Sequence, residues 1–141
     1  MKFPYLKLYL DERSDFFGTH ILKPIIPLKI KAPGKEVRYG ALIDSGADFC
    51  IFDAEIGEYL GFDIRSGKRL PFGGIQDRTG AEAFLHEAVI NIGGWDYKTA
   101  LGFSYDIAKH GFGILGQKGF FDIFAVKFDY RKEEIELGGR K

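Results

Sequence analysis

The sequence predicts an all-β fold carrying one or two short helices. Apolar or alternating runs are short and are broken throughout by Gly, Pro and Asp, a strand-and-turn pattern. Aromatic residues make up 16% of the chain, mostly Phe and Tyr, side chains that suit a pleated, half-buried surface. Helix-period spacing is sparse.

The elements follow in order. Residues 25–30 and 37–43 read as strands around an Ala32-Pro33-Gly34-Lys35 turn. Residues 53–60, closing on Gly61, predict a short helix with Asp53 as N-cap and glycine just past its end. Residues 83–92 alternate as a strand, and Gly93-Gly94 turns the chain into a second strand over 95–103. A second short helix is expected over 117–123. Residues 124–128 and 134–137 flank Asp129-Tyr130-Arg131-Lys132 as a last hairpin. No repeat or low-complexity segment interrupts this, and the 141 residues fit one domain, 1–141.

Composition narrows the function. Twenty basic and twenty acidic residues give zero net charge, with no long basic run, so nucleic acid is not an expected partner. No stretch approaches the roughly 20 apolar residues that span a bilayer, and the N-terminus lacks an apolar core ending in a cleavage site. Cys50 is the only cysteine, which rules out an internal disulfide and fits a reducing compartment. A soluble cytoplasmic protein without a membrane partner is the expectation. His20, His86 and His110 lack ligand spacing, so neither a metal nor another cofactor is expected. Cys50, between Phe49 and Ile51-Phe52, reads as a buried thiol, and Trp95 as a strand-end packing residue. Residues 111–116 match Gly-x-Gly-x-x-Gly, but no long helix follows, so a dinucleotide site is not expected.

Three features carry chemistry. The apolar strand Gly40-Ala41-Leu42-Ile43 runs directly into Asp44-Ser45-Gly46-Ala47-Asp48, which takes a carboxylate out of a buried strand into a tight turn. Further on, Pro71-Phe72-Gly73-Gly74-Ile75 places paired glycines at the expected tip of a hairpin, a low-profile loop suited to closing over a bound chain. Last comes Phe112-Gly113-Ile114-Leu115-Gly116.

This order of acid turn, glycine-tipped hairpin and Ile-Leu-Gly resembles the retropepsin-like, single-lobed aspartic proteases over residues from about 25 to 137. The resemblance implies an acid-protease closed barrel. It implies that Asp44 is the catalytic aspartate and that Ser45 and Gly46 support the catalytic turn, Ser45 through hydroxyl bonds across subunits. It places Gly46, Ala47 and Asp48 along the substrate cleft, Phe72 closing over the substrate, and Gly73, Gly74 and Ile75 at the flap tip. The Ile-Leu-Gly strand would pack behind the catalytic turn.

Peptide hydrolysis of this kind needs two carboxylates sharing one proton, since two like charges in close contact cannot both ionise cheaply. No second Asp-Ser/Thr-Gly occurs; Asp77-Arg78-Thr79-Gly80 has Arg where the hydroxyl belongs. The implied enzyme is therefore a homodimeric aspartic endopeptidase acting on polypeptide, with one Asp44 from each subunit. The alternative is a non-catalytic peptide-binding or assembly module using the same cleft. Two departures stand out: Gln117 where many retroviral members have Arg, so any ion pair made there is lost, and the hairpin beyond residue 124, which looks more like the end of a pepsin lobe or of bacterial single-lobed relatives.

Overall fold

A computed structural model describes residues 1–72, 80–107 and 111–139. In chain order the elements are β1 (Lys2–Pro4), β2 (Leu6–Ser14), β3 (Gly18–Lys23), β4 (Ile25–Ala32), β5 (Lys35–Ile43), β6 (Ile51–Asp53), α1 (Ala54–Tyr59), β7 (Lys68–Pro71), β8 (Glu82–Ile92), β9 (Trp95–Ser104), β10 (Phe112–Leu115), β11 (Phe124–Asp129) and β12 (Glu134–Gly139). A single 3-10 turn at Ile64–Ser66 lies between α1 and β7. The expected all-β architecture is present, and three of its hairpins, β4–β5, β8–β9 and β11–β12, stand where the sequence places them.

The barrel closes because β4 has two partners. Strands run in the order β4-β5-β10-β6-β9-β8, and β8 pairs back onto β4 through Lys29↔Asn91, Ile30↔Ile90 and Lys31↔Val89. Strand period two then sorts the side chains. Ile26, Leu28 and Ile30 of β4, Ala41 and Ile43 of β5, and Ala88, Ile90 and Ile92 of β8 point inward and are buried. Phe52, Phe103, Phe120 and Phe124 are fully buried in the same core, each worth about 1.5–3 kcal/mol of transfer free energy.

Around the barrel lie two smaller sheets. β1 pairs with β12 and β12 with β11, so the N-terminal strand completes the last hairpin within the same chain. β2 and β3 form a separate two-stranded ribbon. Helix α1 begins as expected: the Asp53 carboxylate accepts the Glu55 N–H at 3.0 Å.

Two expectations are corrected. Residues 117–123 are not a helix but a run of turns that includes an isolated bridge between Phe49 and Lys118. Gly119 takes φ +103°, outside the helical region, and its N–H goes to the Asp122 side chain at 2.9 Å rather than to a carbonyl four residues back. Trp95 is no packing residue: it opens β9 with its side chain 68% exposed. Among the described residues no helix is long and apolar enough to cross a membrane.

Candidate active site

Asp44 sits where three backbone segments converge. β10 lies parallel to β5, with Ile114 beside Leu42 and Leu115 beside Ile43. The next donor along β5, the Asp44 N–H, bonds the Leu115 carbonyl at 2.9 Å. One residue earlier, Ile43 N–H bonds the carbonyl of Pro24 at 2.9 Å. Strand pairing thus fixes the backbone up to the acid, and the Ile-Leu-Gly strand does lie against the candidate catalytic turn.

The turn beyond is held from inside and outside. Ala47 N–H returns to the Asp44 carbonyl at 3.1 Å, and Gly46 N–H donates to Asp44 Oδ1 at 2.9 Å. From the facing segment, Gln117 N–H bonds the Ala47 carbonyl at 2.8 Å and Lys118 N–H the Asp48 carbonyl at 2.9 Å. The Gln117 side chain adds a third tie, donating from Nε2 to the Ser45 carbonyl at 2.6 Å. Gly116 makes this approach feasible: a Cβ there would lie 2.7 Å from the Ala47 carbonyl oxygen and closer still to that of Phe49. That is inside any tolerable carbon–oxygen contact, so a side chain at 116 would push the two segments apart.

The result is one carboxylate on a fixed turn, half-buried, with Ser45, Gly46 and Asp48 exposed around it and Ala47 half-buried. Oδ1 accepts from Gly46, and among the described residues no ion pair reaches the Asp44 carboxylate. Such a group can take a hydrogen bond from water or from a second acid on its open side. It cannot supply both an acid and a base alone.

The hairpin ahead of this turn is present in its arms. β7 and β8 pair antiparallel from Lys68↔Leu85 to Pro71↔Glu82, and Phe72 N–H reaches the Ala81 carbonyl at 3.1 Å. The half-buried Phe72 stacks edge-on against Phe49, with ring centroids 6.3 Å apart and planes at 89°. Since Phe49 follows the acid turn by one residue, this contact ties the hairpin arm to the loop bearing Asp44. The expected flap-tip residues Gly73, Gly74 and Ile75 lie outside the described residues.

Behind the site Cys50 is fully buried, as expected. Burial pushes its thiol up to about 12, against a smaller opposing pull from the Gly116 N–H, 3.4 Å from Sγ. The thiol is therefore a neutral packing group and not a nucleophile. His86 is likewise structural: its Nε2 donates to the Ile64 carbonyl at 2.8 Å. Among the described residues no cluster of three His, Cys, Asp or Glu is placed to hold a metal ion.

Sequence reasoning missed three contributors: Gln117, Phe49 and Pro24. Gln117 lacks the charge for an ion pair, yet its amide donor, two bonds shorter than a guanidinium, reaches the Ser45 carbonyl. The Phe49–Phe72 contact had a signal, aromatic residues one position beyond the acid turn and one before the glycine pair. The role of the Pro24 carbonyl had none, because it depends on strand register.

No family model matches this sequence, and no curated protein matches it. Solved structures do. A retropepsin-like aspartic protease from Rickettsia conorii is similar with a TM-score of 0.57 and 16% identity, over 97% of this chain and 89% of that one. The retroviral protease-like domain of Ddi1 from Leishmania major gives a TM-score of 0.58 and 20% identity, over 82% of this chain and 87% of its own. The chain has a retropepsin-like fold, a closed barrel with one short α-helix among the described residues.

Proposed function

We propose that residues 1–141 act as one domain and that two copies form an aspartic endopeptidase, each contributing Asp44. The observation that carries this is the Asp44 turn itself: a single carboxylate, pinned by backbone bonds to Leu115, Ala47 and Gly46, presented outward without a charged partner among the described residues. A turn so constrained can hold a carboxylate at the short, fixed distance from its twin that proton sharing requires. One member of the pair, ionised, removes a proton from water. The other, protonated, donates a hydrogen bond to the scissile carbonyl, and the two then exchange roles. Gln117 and Ser45 support the turn, and Ala47 and Asp48 offer backbone and side chain to an extended peptide. Phe72 with Gly73, Gly74 and Ile75 would cover it. The fold similarity to retropepsin-like proteases supports this reading.

The test is cleavage of a mixed peptide library by wild type and Asp44→Asn, from acid to neutral pH and over a range of protein concentrations. The proposal expects turnover to fall at least about a hundredfold in the variant, and wild-type specific activity to rise with concentration. Peptide binding without turnover in either form would instead assign the cleft to a non-catalytic peptide-binding module. Equal cleavage by Asp44→Asn would overturn the mechanism.

A further inference from the structure

Ser104 is the one buried polar side chain among the described residues. It closes β9, and its hydroxyl is spent on the neighbouring strand. Two residues beyond the last β8–β9 pair, Phe84↔Phe103, the same register would set Tyr105 opposite Glu82. β9 ends at Ser104 instead, and side chains hold Glu82 where the ladder stops. The Ser104 hydroxyl donates to the Glu82 carbonyl at 2.7 Å, and the Asp106 N–H donates to Ser104 Oγ at 3.0 Å. The Glu82 N–H closes the ring by donating to Asp106 Oδ2 at 3.0 Å. All three donors run the same way round, because a carbonyl and a carboxylate can only accept. Across β7 the Glu82 side chain also takes the Arg69 guanidinium as an ion pair.

What this ring holds is the hairpin beside Asp44. Glu82 stands opposite Pro71, and the next pair out joins the Phe72 N–H to the Ala81 carbonyl at 3.1 Å. Phe72 in turn meets Phe49, just past the acid turn, with ring centroids 6.3 Å apart. Without the ring, the last pair tying β8 to β9 is at Phe84, two residues and about 7 Å further back along the strand. The arms would then leave the barrel from a more distant root, and a small change of angle there is carried out to Phe72. An apolar side chain at 104 would fill the space without the cost of taking a hydroxyl out of water. What the hydroxyl adds is direction.

We propose that Ser104 and Asp106 are positioning residues for the peptide cleft. By holding both main-chain groups of Glu82 they set the direction in which the arms 68–72 and 80–85 leave the barrel, and so the placement of Phe72 beside the Asp44 turn. This rests on the endopeptidase reading above, and adds to it two residues that act through the hairpin and not on the reacting atoms.

The test compares wild type, Ser104→Ala, Asp106→Ala and Asp106→Asn as full chains, with a peptide selected from a mixed library for binding to the wild type. Steady-state cleavage gives kcat and KM. The same substitutions in an Asp44→Asn background give the peptide dissociation constant, and hydrogen exchange read by mass spectrometry follows the amides. In both alanine variants KM and the dissociation constant should rise at least about fivefold while kcat stays within about threefold. Exchange should quicken about tenfold or more in 68–72 and 80–85, with β4, β5 and β10 unchanged. Asp106→Asn keeps an oxygen for the Glu82 N–H and should restore most of each value. Asp106 is exposed, so its variants decide the matter if Ser104→Ala fails to fold. Faster exchange in Asp106→Ala with KM and the dissociation constant unchanged would overturn the positioning role and leave a structural clamp. Asp106→Asn behaving no better than Asp106→Ala would overturn it too, and the endopeptidase reading survives both results. A wild type that binds peptide without cleaving it overturns that reading alone, and the dissociation constants then decide on the ring. If no library peptide binds, both fall.

Discussion

Replacing Gly116 with alanine perturbs the candidate site without touching its carboxylate. The added Cβ would meet the Ala47 carbonyl oxygen at 2.7 Å, and the Phe49 carbonyl oxygen closer still, where an ordinary contact needs about 3.4 Å. Both obstacles are backbone atoms, so no rotamer change relieves them. The segments must separate by at least about 0.7 Å. That separation stretches the bonds between the same stretches: Asp44 N–H to Leu115, Gln117 N–H to Ala47 and Lys118 N–H to Asp48, at 2.9, 2.8 and 2.9 Å. Weakening three bonds worth about 1 kcal/mol each, with some overpacking strain, gives a loss of roughly 3 kcal/mol. For a chain of this size the unfolding midpoint should drop by about 10 °C. Because the shift moves the backbone that carries Asp44, peptide cleavage should fall by one to two orders of magnitude even below the new midpoint, roughly the effect of a 1 Å misplacement of a catalytic group. Differential scanning calorimetry and cleavage at matched fractional folding separate the two effects. A Gly116→Ala protein melting within about 2 °C of wild type would refute the close approach on which this reasoning depends.

Gln117→Glu keeps the side chain's shape but removes the donor to the Ser45 carbonyl; a stability loss of about 0.5–1.5 kcal/mol and a severalfold fall in cleavage are expected, while Gln117→Arg, which retains a donor, should recover part of both. Chemical denaturation and turnover check this, and a Gln117→Glu protein indistinguishable from wild type would remove the brace. Cys50 makes stability depend on alkaline pH. Its thiol ordinarily ionises near 9.0 and is pushed up to about 12 by burial, so above pH 9 the unfolded chain releases a proton that the folded chain keeps. Stability is intact below that point and declines as pH rises toward the folded value, by about 2 kcal/mol between pH 8 and 10.5. Urea titrations of wild type and Cys50→Ala at both pH values should diverge by that amount, and parallel behaviour would contradict the assignment.

The parts of this fold that were legible in the sequence are those where local rules and tertiary structure agree. Residues 25–43 and 83–103 alternate over long stretches around turns rich in glycine, and burial follows that alternation. The Asp53 cap and the acid turn were legible for the same reason. Residues 117–123 misled because their composition tolerates helix, whereas the chain leaving β10 must turn through Gly119 and enter β11 of the three-stranded sheet within a few residues. The β2–β3 ribbon was missed for another reason. Its turn, Asp15-Phe16-Phe17, carries aromatic residues where polar turn formers are usual. The available signal was Ser14 ahead of it, whose hydroxyl accepts the N–H groups of Phe16 and Phe17 at 3.1 and 3.0 Å. The side-chain brace was not legible, since a bond from Gln117 to Ser45 is a fact about register and not about either neighbourhood.

The parallel pairing of β5 with β10 has a consequence for when the site comes into being. The residues that carry Asp44 and those that fix it are separated by 72 positions in the brace from Gln117 to Ser45. Contacts of such separation form late, after loop-closure entropy has been met by more local pairings. A nascent chain still lacking residues 112–118 therefore carries the Asp-Ser-Gly motif with nothing to hold it in shape. During synthesis the acid turn therefore stays unorganised until most of the polypeptide has emerged.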